Sequence, residues 1–176
     1  ASGVIEQTGP NCFRFAAAPR SIEADLMAVV LDVGQPLMCT DVTGAALLSF
    51  DGFRLQRPFH LLVPRSRCLA RPRVIVHRTI AWDRRDRTTE RGFPVTTAAR
   101  TLIELARHLP SDRLAVCLDS AVRDGRVSED ALHRRIVALR SQGRHGLPDL
   151  HAVLAGFEVI RGGHSWLERE YLRLLD

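Results

Sequence analysis

The sequence predicts an α+β fold: an N-terminal β-hairpin, a small strand-rich middle and a helical C-terminal half. Three observations carry this. Short β-favouring runs, Phe59–Val63 and Arg73–Arg78, dominate the first half. After residue 97 the apolar residues recur at helical spacing. Between the two lies Gly92–Ala106, GFPVTTAARTLIELA, where a strand or loop enters and a helix leaves.

In that stretch Val95 and Thr96 favour a strand, and Thr97 is placed to cap the helix that follows. Ala98, Leu102, Ile103, Leu105, Ala106 and Leu109 form an apolar stripe that Pro110 ends. Upstream, residues 3–17 read as a β-hairpin turning at Gly9-Pro10-Asn11. Ser21 caps a helix with Glu23 and Asp25 in its first turn, burying Ile22, Leu26, Val29, Val30 and Val33 before Gly34 ends it. Thr40–Leu48 reads as a second helical piece and Asp51-Gly52 as a turn. Pro64 closes the strand at Phe59–Val63, and Asp83–Arg91 is a loop or a weak edge strand.

Downstream, Ser111 is expected to cap a helix with Leu114, Cys117, Leu118, Ala121 and Val122 inward and Gly125 as its stop. Ser128 caps another, with Leu132, Ile136, Val137 and Leu139 inward and Arg134, Arg135 and Arg140 on the opposite face, followed by Arg144 and His145. Asp149–Leu154 reads as a short helix, and residues 157–163 as a connector. Ser165-Trp166-Leu167-Glu168 is a capping box opening a final helix.

At 176 residues and 45% apolar composition the chain can bury a core. All 25 basic residues are arginine against 20 acidic ones, a net charge of +5, so lysine chemistry is excluded within this sequence. An excess of arginine raises the prospect of an anionic partner, nucleic acid first. Cys12, Cys39, Cys68 and Cys117 are widely spaced and read as buried free thiols in a reducing cytoplasm. The longest notable apolar run, Leu26–Leu31, is too short to cross a bilayer, so no membrane partner is expected. The chain begins at Ala1 without Met and closes inside a helical pattern, which predicts a piece of a longer protein.

No Walker A loop, G-x-G-x-x-G or H-E-x-x-H motif occurs, and no cofactor is expected. The pairs Glu129-Asp130 and Glu168/Glu170 are explained at least in part by helix capping. His60 and His77 fall on adjacent strands and could meet, but the sequence names no third metal ligand beside them. The remaining candidates are arginines suited to phosphate: Arg65 and Arg67 in the strand–strand linker, with Arg71 and Arg73, and Arg134, Arg135, Arg140 and Arg144 on the helix and its exit.

Three segments in order, Pro58–Arg65, Val74–Arg78 and Gly92–Leu102, resemble the middle of actinobacterial AbiEi-like proteins, the antitoxin and transcriptional-regulator type of type IV toxin–antitoxin systems. The resemblance implies residues 1–18 as part of a winged-helix wing, 19–160 as the AbiEi-like middle domain, and 161–176 as the start of a domain similar to very-short-patch-repair endonucleases, with Glu168 matching an early Glu. It implies a DNA-associated, non-enzymatic regulator, with a cognate toxin or a second copy as a further partner. The alternatives are a fragment of a nuclease-like enzyme and a protein-binding scaffold. Thr40-Asp41-Val42-Thr43-Gly44 departs from the family, which carries a Ser-His motif with small residues at this place.

Overall fold

The computed structural model describes residues 4–140 together with Leu150 and Ala152. In order, the elements are β1 (Ile5–Gly9), β2 (Cys12–Phe15), α1 (Ile22–Val33), β3 (Met38–Cys39), α2 (Asp41–Leu47), β4 (Phe59–Pro64), β5 (Val74–Thr79), a 3-10 turn (Arg84–Asp86), β6 (Arg87–Glu90), β7 (Phe93–Thr96), α3 (Ala98–Leu105), α4 (Ser111–Arg123) and α5 (Glu129–Arg140). The fold is α+β. The chain divides into two compact units, Ala1–Thr101 and Leu102–Asp176, with the boundary inside α3.

The first unit holds both sheets. β1 and β2 form the expected antiparallel hairpin, with Ile5 opposite Phe15 and Gln7 opposite Phe13. The larger sheet is mixed, in the order β5-β4-β3-β7-β6. β4 and β5 run parallel, joined by the linker 65–73 without a helix, while β3 is antiparallel to β4 and parallel to β7. β3 is two residues long and was not legible in the sequence, since Met38-Cys39 has neither alternation nor length. Its neighbours define it: Met38 pairs with Leu62, and Cys39 with both Leu61 and Val95. The centre of the sheet is buried at Phe59, Leu61, Leu62, Val63 and Val95, and α2 packs beside β4 and β7.

Gly44 lets α2 approach closely. A Cβ there would lie 3.3 Å from the hydroxyls of both Thr96 and Thr101 and 3.4 Å from the Cys39 carbonyl. Those two buried hydroxyls are 2.7 Å apart, and Thr101 Oγ1 also donates to the Thr96 carbonyl. The expected cap is present: Thr97 Oγ1 accepts from the Arg100 N–H at 3.4 Å.

The most demanding feature of this unit is Arg100, whose side chain is 0% exposed beside Asp86 at 1%. Arg100 Nη1 donates to Asp86 Oδ2 at 2.6 Å and to the Ala81 carbonyl at 3.3 Å, and Nη2 donates to Thr79 Oγ1 at 3.2 Å. The Asp86 carbonyl accepts the Thr97 N–H at 2.7 Å. One guanidinium thereby ties the end of β5, the turn before β6 and the start of α3.

In the second unit α4 buries Leu114, Cys117, Leu118 and Ala121, an i, i+3, i+4, i+7 set. α5 buries Leu132, Ile136 and Leu139, and Ser128 Oγ caps it through the Ala131 N–H. Three expectations are corrected. Val137 is 67% exposed, because the inward stripe of α5 follows the 132/136/139 spacing and leaves 137 off it. Ser111 is the first residue of α4; Pro110 takes the cap position with no side-chain cap bond. α3 ends at Leu105, and residues 106–108 turn, bringing the stop ahead of Pro110. Leu150 and Ala152 are helical, within the short helix expected at Asp149–Leu154; the connector, the capping box at Ser165 and the final helix lie outside the described residues.

Removing one partner of a buried ion pair strands the other charge in a low-dielectric site, at about 3–5 kcal/mol. Asp86→Ala is therefore expected to lose roughly that much in urea unfolding, against ~0.5 kcal/mol for the exposed control Arg84→Ala.

Candidate functional site

β4 and β5 bring two histidines together. His60 pairs with Ile75 and Leu62 with His77, so residues 60 and 77 share one face, two positions apart in register. The expectation that they meet holds: His60 Nδ1 lies 3.0 Å from His77 Nε2, and the rings stack with centroids 5.1 Å apart. With neutral rings, that contact has one nitrogen donating its proton and the other accepting it.

The third member is Asp41. Its carboxylate oxygens lie 3.7 Å from His60 Nδ1 and 3.9 Å from His77 Nε2. It is 2% exposed, and Oδ1 accepts the Val42 N–H at 2.7 Å. Its position is fixed by two bonds to the main chain of His60: the N–H of Thr40, just before α2, donates to the His60 carbonyl at 3.0 Å, and the His60 N–H donates to Thr43 Oγ1 on α2 at 2.9 Å. Asp41 itself adopts φ 55°, a left-handed conformation that Asp tolerates better than most residues. Three donors within 4.8 Å of one another result, with His60 15% and His77 22% exposed at the side chain. Asp41 was missed in the sequence because its partners are 19 and 36 residues away, and only the pairing of α2 with β4 closes the gap.

The arginine candidates are placed differently. Arg65 is exposed, with its N–H bonded to the Thr79 carbonyl at 2.8 Å, at the end of the β4–β5 pair that also carries exposed Arg78. Arg67 turns inward to the C-terminus of α1, where Nη1 donates to the Gly34 and Pro36 carbonyls at 2.7 and 3.0 Å and Nη2 to the Val33 carbonyl. The Val33 carbonyl belongs to the last turn of α1, which a helix end leaves without intrahelical partners, and those of Gly34 and Pro36 follow it in the chain. Arg134 is exposed on α5 and Arg135 is half-buried; Arg140 closes the helix, and its side chain and all of Arg144 lie outside the described residues.

A cleft of about 440 Å³ opens between the hairpin and α1, lined by Asp25, Asp32, Arg57 and Arg71 among others. These four charges pair with one another: Arg57 Nη2 meets Asp25 Oδ2 at 2.5 Å, and Arg71 Nε meets Asp32 Oδ2 at 2.5 Å. Asp32 Oδ1 also accepts the Asn11 N–H at 2.5 Å, which anchors the hairpin turn to α1. Burial pushes the Asp32 carboxyl up, but the Arg71 hydrogen bond, the Asn11 N–H and the Arg71 charge outweigh it and hold the group below its ordinary value. Gly9 is required here by close approach, since a Cβ would sit 2.5 Å from Asp32 Cγ.

The cysteines are free, and three of them are buried as expected; Cys68 is the correction, being exposed on the strand–strand linker. Burial pushes the Cys39 thiol up to about 12 and the Cys117 thiol up to about 11. Compared with known proteins, the chain matches no protein-family model and no curated sequence.

Two outcomes follow. Ellman's reagent should titrate a single thiol in the native protein, lost in Cys68→Ser, and all four after denaturation. A lowered folded pKa means that the Asp32 contribution is present above the unfolded carboxyl pKa of about 3.9 and is lost as pH falls through the folded value. Asp32→Asn should accordingly flatten the acid limb of the urea-midpoint profile, and Gly9→Ala should lower the midpoint through the clash with Asp32.

Proposed function

We propose that the chain is a DNA-associated regulatory module of the antitoxin type, acting by binding and not by catalysis. The anchored hairpin carries this reading. Its inner face is fixed to α1, with Cys12 buried, Arg14 within 3.6 Å of Asp25, and the turn held by Asp32. Its outer face presents Ile5, Phe13 and Phe15 at 60%, 61% and 66% exposure. A rigid two-stranded ribbon with one face docked and one face open is what a wing requires. The net charge of +5 and the exposed guanidinium groups of Arg65 and Arg134 support contact with phosphate. No described helix is long and apolar enough to cross a membrane.

The apolar outer face favours a second reading, in which a protein covers the hairpin: a cognate toxin or a second copy of the chain. Light scattering across a concentration series, on the native protein and Phe13→Ser/Phe15→Ser, separates self-association from a monomer that awaits a different partner.

For the DNA reading, anisotropy with a labelled duplex should show binding near ~50 mM salt that weakens steeply by ~200 mM. Arg134→Ala is expected to weaken binding on unrelated sequences alike and to lower the salt slope by about 1. Failure of the native chain to bind any duplex at the lower salt would sink this function.

A further inference from the structure

From the convergence of Asp41, His60 and His77 we infer a divalent transition-metal site of the zinc class, held by two imidazole nitrogens and one carboxylate. The distances fit. Ligand atoms about 2.0–2.1 Å from a tetrahedral ion lie roughly 3.3 Å apart. Here the imidazole nitrogens are 3.0 Å apart, His60 Nδ1 lies 3.7 Å from Asp41 Oδ1 and His77 Nε2 lies 3.9 Å from Asp41 Oδ2, with one donor atom of each residue falling within 4.8 Å of the others. An ion entering the cluster is met by both carboxylate oxygens, or turns the Asp41 carboxyl group so that one oxygen faces both nitrogens.

The chemistry of the donors fits as well. Imidazole suits Zn²⁺ and its neighbours, whereas Mg²⁺ and Ca²⁺ take oxygen sets. Binding replaces the proton shared between the rings with the ion, and places a cation against the carboxylate of Asp41, which is 2% exposed. The donors come from three separate elements, the start of α2, β4 and β5, so the ion clamps them together. The outer contacts are in place: the Val42 N–H holds Asp41 Oδ1, and Thr43 Oγ1 and the Thr40 N–H hold the main chain of His60. Left-handed backbone at Asp41, φ 55°, aims a carboxylate where a helical conformation would send it elsewhere. Three protein donors leave a fourth tetrahedral position for water or a partner's side chain, and the partial exposure of both rings gives it a route in.

The test uses tag-free full chain, stripped with chelator. Calorimetry with Zn²⁺ should show one ion per chain, and Mg²⁺ should show none. The melting temperature should rise by roughly 5 °C with Zn²⁺ at ten times the dissociation constant. Co²⁺ should give visible d–d absorption without the thiolate charge-transfer band that binding at Cys68 would produce. His77→Gln and Asp41→Asn should each weaken Zn²⁺ binding by more than about 100-fold, beyond the roughly 10–100-fold cost of outer-shell changes. Circular dichroism matching the native chain qualifies each variant as folded. Cys68→Ser and His108→Ala should bind as the native chain does. Absence of saturable Zn²⁺ binding in the native chain overturns the site and leaves the cluster a hydrogen-bonded histidine pair. Binding that survives both His77→Gln and Asp41→Asn overturns it equally, as does a thiolate band.

Discussion

A guanidinium with no exposed surface is the constraint on which the sheet-bearing unit rests. Arg100 could be hydrated at no cost on the surface; buried, it must find donors' partners and a counter-charge within its own reach. It finds Asp86, the Ala81 carbonyl and Thr79 Oγ1. Those three groups come from segments that have little regular structure of their own to hold them: the end of β5, the residues leading out of it and a 3-10 turn. The geometry of the pair therefore decides where the chain between β5 and β6 runs. A well-packed apolar pair could be as stable, but it would not demand one arrangement so strictly. The Thr97 N–H on the Asp86 carbonyl extends the same constraint into the start of α3.

Beside this ion pair lies a layer of buried hydroxyls that sets α2. Thr96 and Thr101 bond each other, and Thr96 Oγ1 lies 3.3 Å from the Cys39 carbonyl. Only a residue without a Cβ leaves unforced room for α2 above them, and Gly44 is that residue. With α2 so placed, Thr40 and Thr43 bond the main chain of His60, and Asp41 falls beside both imidazoles. The candidate metal ligands thus depend on packing that itself has no chemistry.

The hairpin makes a separate case of charge used for position. Asp32, buried near the end of α1, accepts from Asn11 and Arg71 at once, joining the hairpin turn and the strand–strand linker to one helix. Arg67 also ties the linker to α1, donating to the carbonyls of Val33 at its end and of Gly34 and Pro36 just beyond it. Two of the linker's arginines are thereby occupied with internal bonds. Arg65 and Arg73 stay exposed.

Local pattern was enough for the α+β class, for the hairpin at Gly9-Pro10-Asn11, for α1 with its Ser21 cap, for β4 and β5, and for the inward stripe of α4. Each depends on residues a few positions apart, where period and cap chemistry are complete in themselves. The Gly92–Leu102 stretch was also legible as architecture, through Thr97 and the Leu102/Ile103/Leu105 stripe. Tertiary structure alone decided β3, which is two residues long and exists because both neighbours offer it hydrogen bonds. It alone made Arg100 a buried residue, showed Arg67 to be a helix cap, turned Val137 outward and left Cys68 at the surface. Above all it supplied Asp41 as the third donor beside His60 and His77. Sequence spacing carries no record of that meeting, because it is made by a strand register and by a helix that a glycine lets close.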